Sequence, residues 1–103
     1  MTELSVEVTS GDPAVVTVVG EIDLLTAASL AAPLRALIDG RRTTGIEVDL
    51  EQVPFMDSTG IQVLAAARAD AAAADIAFRV RAASDAVKRV LGMTGLLESL
   101  GLT

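Results

Sequence analysis

The sequence predicts one α/β domain over residues 1–103, a mixed sheet of four to five strands with helices mainly on one face. Three observations predict it. Short runs with apolar residues at every second position alternate with longer runs whose apolar residues recur at helical spacing. The first two strand-like runs are separated only by turn residues, which makes them an antiparallel hairpin. Helical segments then separate the later strands, so those are parallel, joined by right-handed crossovers that lay the helices largely against one side.

Leu4, Val6 and Val8 alternate with Ser5 and Glu7, the period of a first strand with one buried face. Ser10-Gly11-Asp12-Pro13 supplies the turn, and Ala14 to Val19 is a β-branched second strand expected to be buried on both faces. Gly20-Glu21-Ile22-Asp23 leaves that strand. Thr26 is the expected N-cap of a first helix, with Leu25 and Leu30 as its hydrophobic staple. Leu30, Leu34, Leu37 and Ile38 form its apolar stripe, and Gly40 closes it. Pro33 breaks the ladder, so either the helix bends there or its regular part begins near Leu30.

Ile46, Val48 and Leu50 alternate with Glu47 and Asp49 in the third strand, and Val53-Pro54-Phe55-Met56 carries the chain on. Next comes a helix rich in alanine at 65–67 and 71–74, with Ile61, Leu64, Ala65 and Arg68 on one face; short side chains let it lie close to a sheet. Ile76, Phe78 and Val80 make a fourth strand whose Arg79 and Arg81 read as a solvated face. Ser84 caps a helix carrying Val87, Val90 and Leu91, which Gly92 ends before a short turn from Thr94. Lys88 and Arg89 read as a solvated face, Met93 and Leu96 as core or subunit contacts.

Composition removes several functions. A chain of 103 residues suits one domain, and its longest apolar runs fall far short of the roughly 20 residues that cross a bilayer. The start Met1-Thr2-Glu3-Leu4 shows neither a secretory signal nor a transit peptide, so the expected location is cytoplasmic, without membrane insertion. Cysteine and histidine are both absent. That excludes disulfides, thiolate metal ligands and the usual proton shuttle, and it argues against a serine hydrolase, whose hydroxyl needs a base. A formal charge of −6 with two aromatic residues lacks the basic patch and stacking platform of nucleic-acid binders. Neither a Gly-x-Gly-x-x-Gly nor a Walker sequence is present, and no cofactor is expected. A phosphoaspartate receiver fits poorly, since Lys88 is the single lysine and the opening hairpin is foreign to that fold.

The tetrapeptide Asp57-Ser58-Thr59-Gly60 stands where strand gives way to helix. It puts hydroxyls at an end whose backbone N–H groups lack intrahelical partners and whose dipole favours negative charge, so a phosphate on Ser58 would meet donors and field. The simpler reading is capping: Asp, Ser and Thr are common N-caps, and Thr59 with Gln62 fits a capping box. For Asp23 the simple reading is likewise a cap on the following connection, or exposure to water.

Three segments together resemble the anti-sigma-factor antagonist family, the STAS domains: Gly20-Glu21-Ile22-Asp23, Phe55-Met56-Asp57-Ser58-Thr59-Gly60, and Val87 to Leu96. The likeness implies a single STAS-like domain and a non-catalytic role in transcription regulation, as in stress-response and sporulation cascades. It implies that Ser58 is phosphorylated by an anti-sigma factor that is itself an ATP-dependent serine kinase, that the unphosphorylated form binds this partner, and that a serine phosphatase restores binding. Glu21, Asp23, Asp57, Thr59 and Gly60 then fall on the partner-binding surface; Thr59, whose hydroxyl sits one residue from that of Ser58, is an alternative acceptor. Some members are instead accessory subunits of membrane lipid-transport ATPases or parts of stress-signalling assemblies. Physics favours the direction of the switch: phosphorylation adds about 1.5 to 2 negative charges near Asp23 and Asp57. A unit like-charge pair about 6 Å apart costs roughly 3 kcal/mol at an effective dielectric near 20, against the roughly 0.3–2 kcal/mol a helix end returns. Little backbone change between the two forms is expected.

Overall fold

A computed structural model describes residues 4–102. The elements follow the predicted order: β1 (Ser5–Thr9), β2 (Ala14–Val19), α1 (Ala27–Gly40), β3 (Gly45–Gln52), α2 (Ser58–Ala73), β4 (Ala77–Ala83), α3 (Asp85–Thr94) and α4 (Leu96–Ser99). The four strands form one sheet in the order β1-β2-β3-β4. The first pair is the antiparallel hairpin, and β2–β3 and β3–β4 are parallel.

Strand register explains the core. Val16 lies beside Val48 and Val48 beside Val80, and these with Val18, Ile46 and Leu50 turn towards buried Leu30, Leu34, Leu64 and Ala71 of the helices. The opposite face carries Glu7, Thr17, Glu47, Asp49, Arg79 and Arg81. The expectation that β2 is buried on both faces is therefore corrected: Ala14, Val16 and Val18 are buried, while Val15 and Thr17 are half-buried and Val19 is exposed. A β-branched run signals a strand, not two covered faces, and here one face meets water. In β1, Val6 is half-buried and Val8 exposed, since the strand lies at the sheet's edge. Arg79 and Arg81 are exposed as predicted, 3.7–4.0 Å from Glu47 and Asp49 across β3 and β4.

The helix ends depart from the sequence reading in instructive ways. Thr26 precedes α1, but its side chain does not cap it, and Leu25 is 90% exposed, so the staple with Leu30 does not form. Pro33 lies inside an unbroken α1. The carbonyl it leaves without a donor is that of Ser29, an exposed residue whose oxygen can be hydrated. Gly40 stays helical, and the left-handed closing residue is Arg41 (φ 51°). Gly92 likewise stays helical, and Gly95 (φ 75°) ends α3 in the left-handed region that glycine adopts freely. Ser84 caps α3 as expected, accepting from Val87 N at 3.2 Å. The buried stripe of α2 is Gly60, Leu64, Ala67 and Ala71; Ile61 and Ala65 are half-buried and Arg68 exposed. Met93 is 75% exposed, so it is not core, while Leu96 is half-buried.

Candidate functional site

Two of the three marked segments meet at the end of the sheet where β2 and β3 run out. Ile22 pairs with Met56 in a parallel bridge beyond the strands. Ile22 N donates to Phe55 O at 3.0 Å, and Asp57 N donates to Ile22 O at 3.1 Å. Both bridging side chains are buried, which fixes Glu21 and Asp23 on one segment beside Asp57 and Ser58 on the other.

Gly60 is what lets α2 start on that bridge. A Cβ there would collide with Met56 Cγ and stand 2.7 Å from its Sδ and 2.9 Å from Ile22 Cγ2. Its place in the tetrapeptide therefore has a packing cause.

Asp57 is the N-cap of α2: Oδ1 accepts from Thr59 N at 2.9 Å, and the Thr59 hydroxyl donates to the same oxygen. The capping box expected from Thr59 and Gln62 does not form: α2 starts at Ser58, two positions before a Thr59-capped helix would allow, so Thr59 lies inside the first turn and donates to the Asp57 cap. The Thr59 hydrogen bonds hold the Asp57 carboxyl below the usual aspartate range, so it carries its charge. Gly60 N and Ile61 N donate to Asp57 O at 3.1 and 3.4 Å. At this helix end the Asp57 carboxylate thus takes the Thr59 N–H, while the Gly60 and Ile61 N–H groups are spent on the Asp57 backbone carbonyl.

Ser58 is the first residue of α2, and it is exposed. Thr59 is half-buried. The two hydroxyls are therefore unlike: that of Ser58 meets solvent, and that of Thr59 is bound to a carboxylate.

Glu21 and Asp23 are half-buried. Asp23 Oδ1 accepts from Leu25 N at 2.9 Å and Thr26 N at 3.1 Å. The buried Thr26 hydroxyl gives its one proton to Glu21 O at 2.8 Å and accepts from Asp23 N at 2.9 Å. Asp23 does what its simple reading said, capping the connection into α1. The third segment, on α3, starts at this same end of the sheet: its cap Ser84 ties it to the last residues of β3 and the segment leading to the bridge, with N donating to Leu50 O at 3.1 Å and Oγ to Val53 O at 2.5 Å.

Sequence reasoning missed an apolar rim. Leu24 is 76%, Leu25 90% and Phe55 47% exposed, on the two chain segments that frame the bridge. The signal was present in Leu24-Leu25, which stand before the stripe that begins at Leu30, but the staple reading absorbed Leu25. Among the described residues there is no cluster of acidic side chains able to hold a metal, and no helix long and apolar enough to cross a membrane.

The model of the STAS domain matches residues 3–103. The chain belongs to the STAS domain family. Its relatives agree: the anti-sigma-F factor antagonist RsfB of Mycobacterium tuberculosis is 33% identical over 89 residues, 86% of this chain and 71% of RsfB. The crystal structure of an anti-sigma factor antagonist from Mycobacterium paratuberculosis superposes with a TM-score of 0.84 at 30% identity, covering 97% of this chain and 85% of that one. The anti-sigma factor antagonist SpoIIAA in its unphosphorylated form matches with a TM-score of 0.77 at 22% identity, over 91% of this STAS domain and 82% of SpoIIAA, a likeness of fold.

Proposed function

We propose that this STAS domain is an anti-sigma factor antagonist that works as a non-catalytic switch. In the unphosphorylated form it binds an anti-sigma factor, which is also an ATP-dependent serine kinase. Transfer of a phosphoryl group to Ser58 Oγ ends that binding, and a serine phosphatase renews it. RsfB, at 33% identity, carries the antagonist name and supports the class of partner.

The observation that carries the reading is the inequality of neighbouring hydroxyls. Ser58 presents an exposed hydroxyl at the head of α2, whereas Thr59 is engaged with the Asp57 carboxylate. A kinase would find Ser58 ready and would have to break the cap to reach Thr59. Glu21, Asp23 and Asp57 supply the acidic edge of the partner surface, Thr59 and Gly60 shape the turn, and Leu24, Leu25 and Phe55 supply its apolar part. Binding would bury that rim, and two extra charges at Ser58 would have to be desolvated within it.

The test is incubation with the cognate kinase and ATP, followed by phosphosite mapping. One phosphate per chain on Ser58 is expected, with none taken up by Ser58→Ala. Phosphate on Thr59 in the wild type, or undiminished partner release by Ser58→Ala, would overturn the reading. Capture of a transporter ATPase in place of a kinase would move the domain to the accessory-subunit role.

A further inference from the structure

The two edges of the sheet are treated differently. On the outer side of β4, Val80 N donates to Leu100 O at 2.8 Å, and buried Leu100 and Leu102 lie along it. On the outer side of β1, no strand among the described residues pairs. Edge strands are ordinarily blunted by proline, lysine, a bulge or a covering segment. β1 has none of the first three: Ser5 to Thr9 pair with Val19 to Val15 without a register shift, and Glu7 is the one charge. Its core-side residues extend into an apolar groove of about 650 Å³, open to the outside, where Val8 and Ala14 face Pro33, Ala36 and Leu37 of α1.

We propose that this edge pairs with a second copy of the same chain, β1 against β1 antiparallel about a two-fold axis at Val6. The strand is self-complementary in that register. Antiparallel partners share a face, so the axis stands at a residue, and the two that keep most of the strand paired are Val6 and Glu7. Centred on Glu7, the seam would set two carboxylates opposite each other, a destabilising pair. Centred on Val6, it sets Val6 against Val6, Leu4 against Val8 and Glu7 against Ser5. Every apolar residue then meets an apolar one on the helix side, and each Leu4 is brought to the groove beside the other copy's Val8. The result is a continuous eight-stranded sheet with both α1 helices on the same side. The two Ser58 turns point to opposite ends, so each copy can engage its own partner molecule. This inference does not rest on the phosphorylation reading.

Ser5 is exposed and makes the test specific to register. Sedimentation equilibrium of the wild type should show a monomer–dimer transition between about 10 µM and about 1 mM, the range of a small transient interface. Ser5→Glu sets a carboxylate against Glu7 of the other copy twice per dimer and should weaken dimerisation at least about tenfold. Ser5→Lys sets an ammonium there and should strengthen it, with the gain fading in high salt. Circular dichroism melts that match the wild type would show that neither variant acts through unfolding. A wild type that stays monomeric throughout this range would overturn the proposal. So would a dimer indifferent to both substitutions, which would mean another surface or another register.

Discussion

The starts of α1 and α2 are built from the same pair of residues and put to different uses. At each, an aspartate Oδ1 accepts from the backbone N–H of a threonine just downstream. At α1 the threonine, Thr26, is buried and spends its oxygen on Glu21 O and Asp23 N, so the turn is closed on itself and what it shows the solvent is Leu24 and Leu25. At α2 the aspartate is the cap, the threonine is only half-buried, and the residue between them, Ser58, projects its hydroxyl outward. One turn is a fastener with an apolar exterior; the other displays a serine hydroxyl.

Gly60→Ala should have the largest effect on the fold. Its Cβ meets Met56 and Ile22 at under 3.0 Å, and overpacking of this kind costs about 1–3 kcal/mol, readable in urea denaturation. A cost near zero would mean that α2 does not rest on the bridge as described. Thr26→Val comes next. It orphans the Glu21 carbonyl and the Asp23 N–H, which should cost about 1–2 kcal/mol. If Thr26→Val proved harmless, the fastener would be no different in kind from the open turn.

Thr59→Val should act more on charge than on stability. The folded-state pKa of Asp57 is depressed by Thr59, so the stability this contributes is present above the unfolded pKa and fades as pH falls through the folded one. Removing the hydroxyl should move the Asp57 titration up towards the ordinary range. Asp12 is the internal control: its carboxyl is also lowered, by Thr44 at the opposite end of the sheet, and should not move. Carboxyl-carbon NMR titrations of both residues measure this, and equal movement would contradict a local cause. Leu25→Ala should have the smallest effect on stability, within about 0.5 kcal/mol as for surface changes generally, while weakening partner binding measurably. Unchanged binding would remove the apolar rim from the partner surface.

The element order was legible because alternation in β3 and β4 and the Leu30-Leu34-Ile38 stripe each encode a period that one buried face imposes. The family was legible from the meeting of three short segments. Helix ends were less so, for a physical reason: at Thr26, Asp57, Gly40 and Gly92 several residues could cap, and the choice is made by tertiary neighbours. Thr26 turns inward because Glu21 O waits there, and that carbonyl is placed by a bridge to Met56 that no local pattern shows. The exposure of Leu24, Leu25 and Phe55 was hidden for the same cause, since an apolar residue beside a core stripe reads as core until the stripe's phase is known.

The most direct test of the switch is a binding titration of the cognate anti-sigma factor against the two forms of the purified protein, unmodified and carrying phosphate on Ser58. The account predicts that the phosphorylated form binds roughly two orders of magnitude more weakly, the equivalent of about 3 kcal/mol, with the fold unchanged by circular dichroism. Equal affinity of the two forms would contradict it.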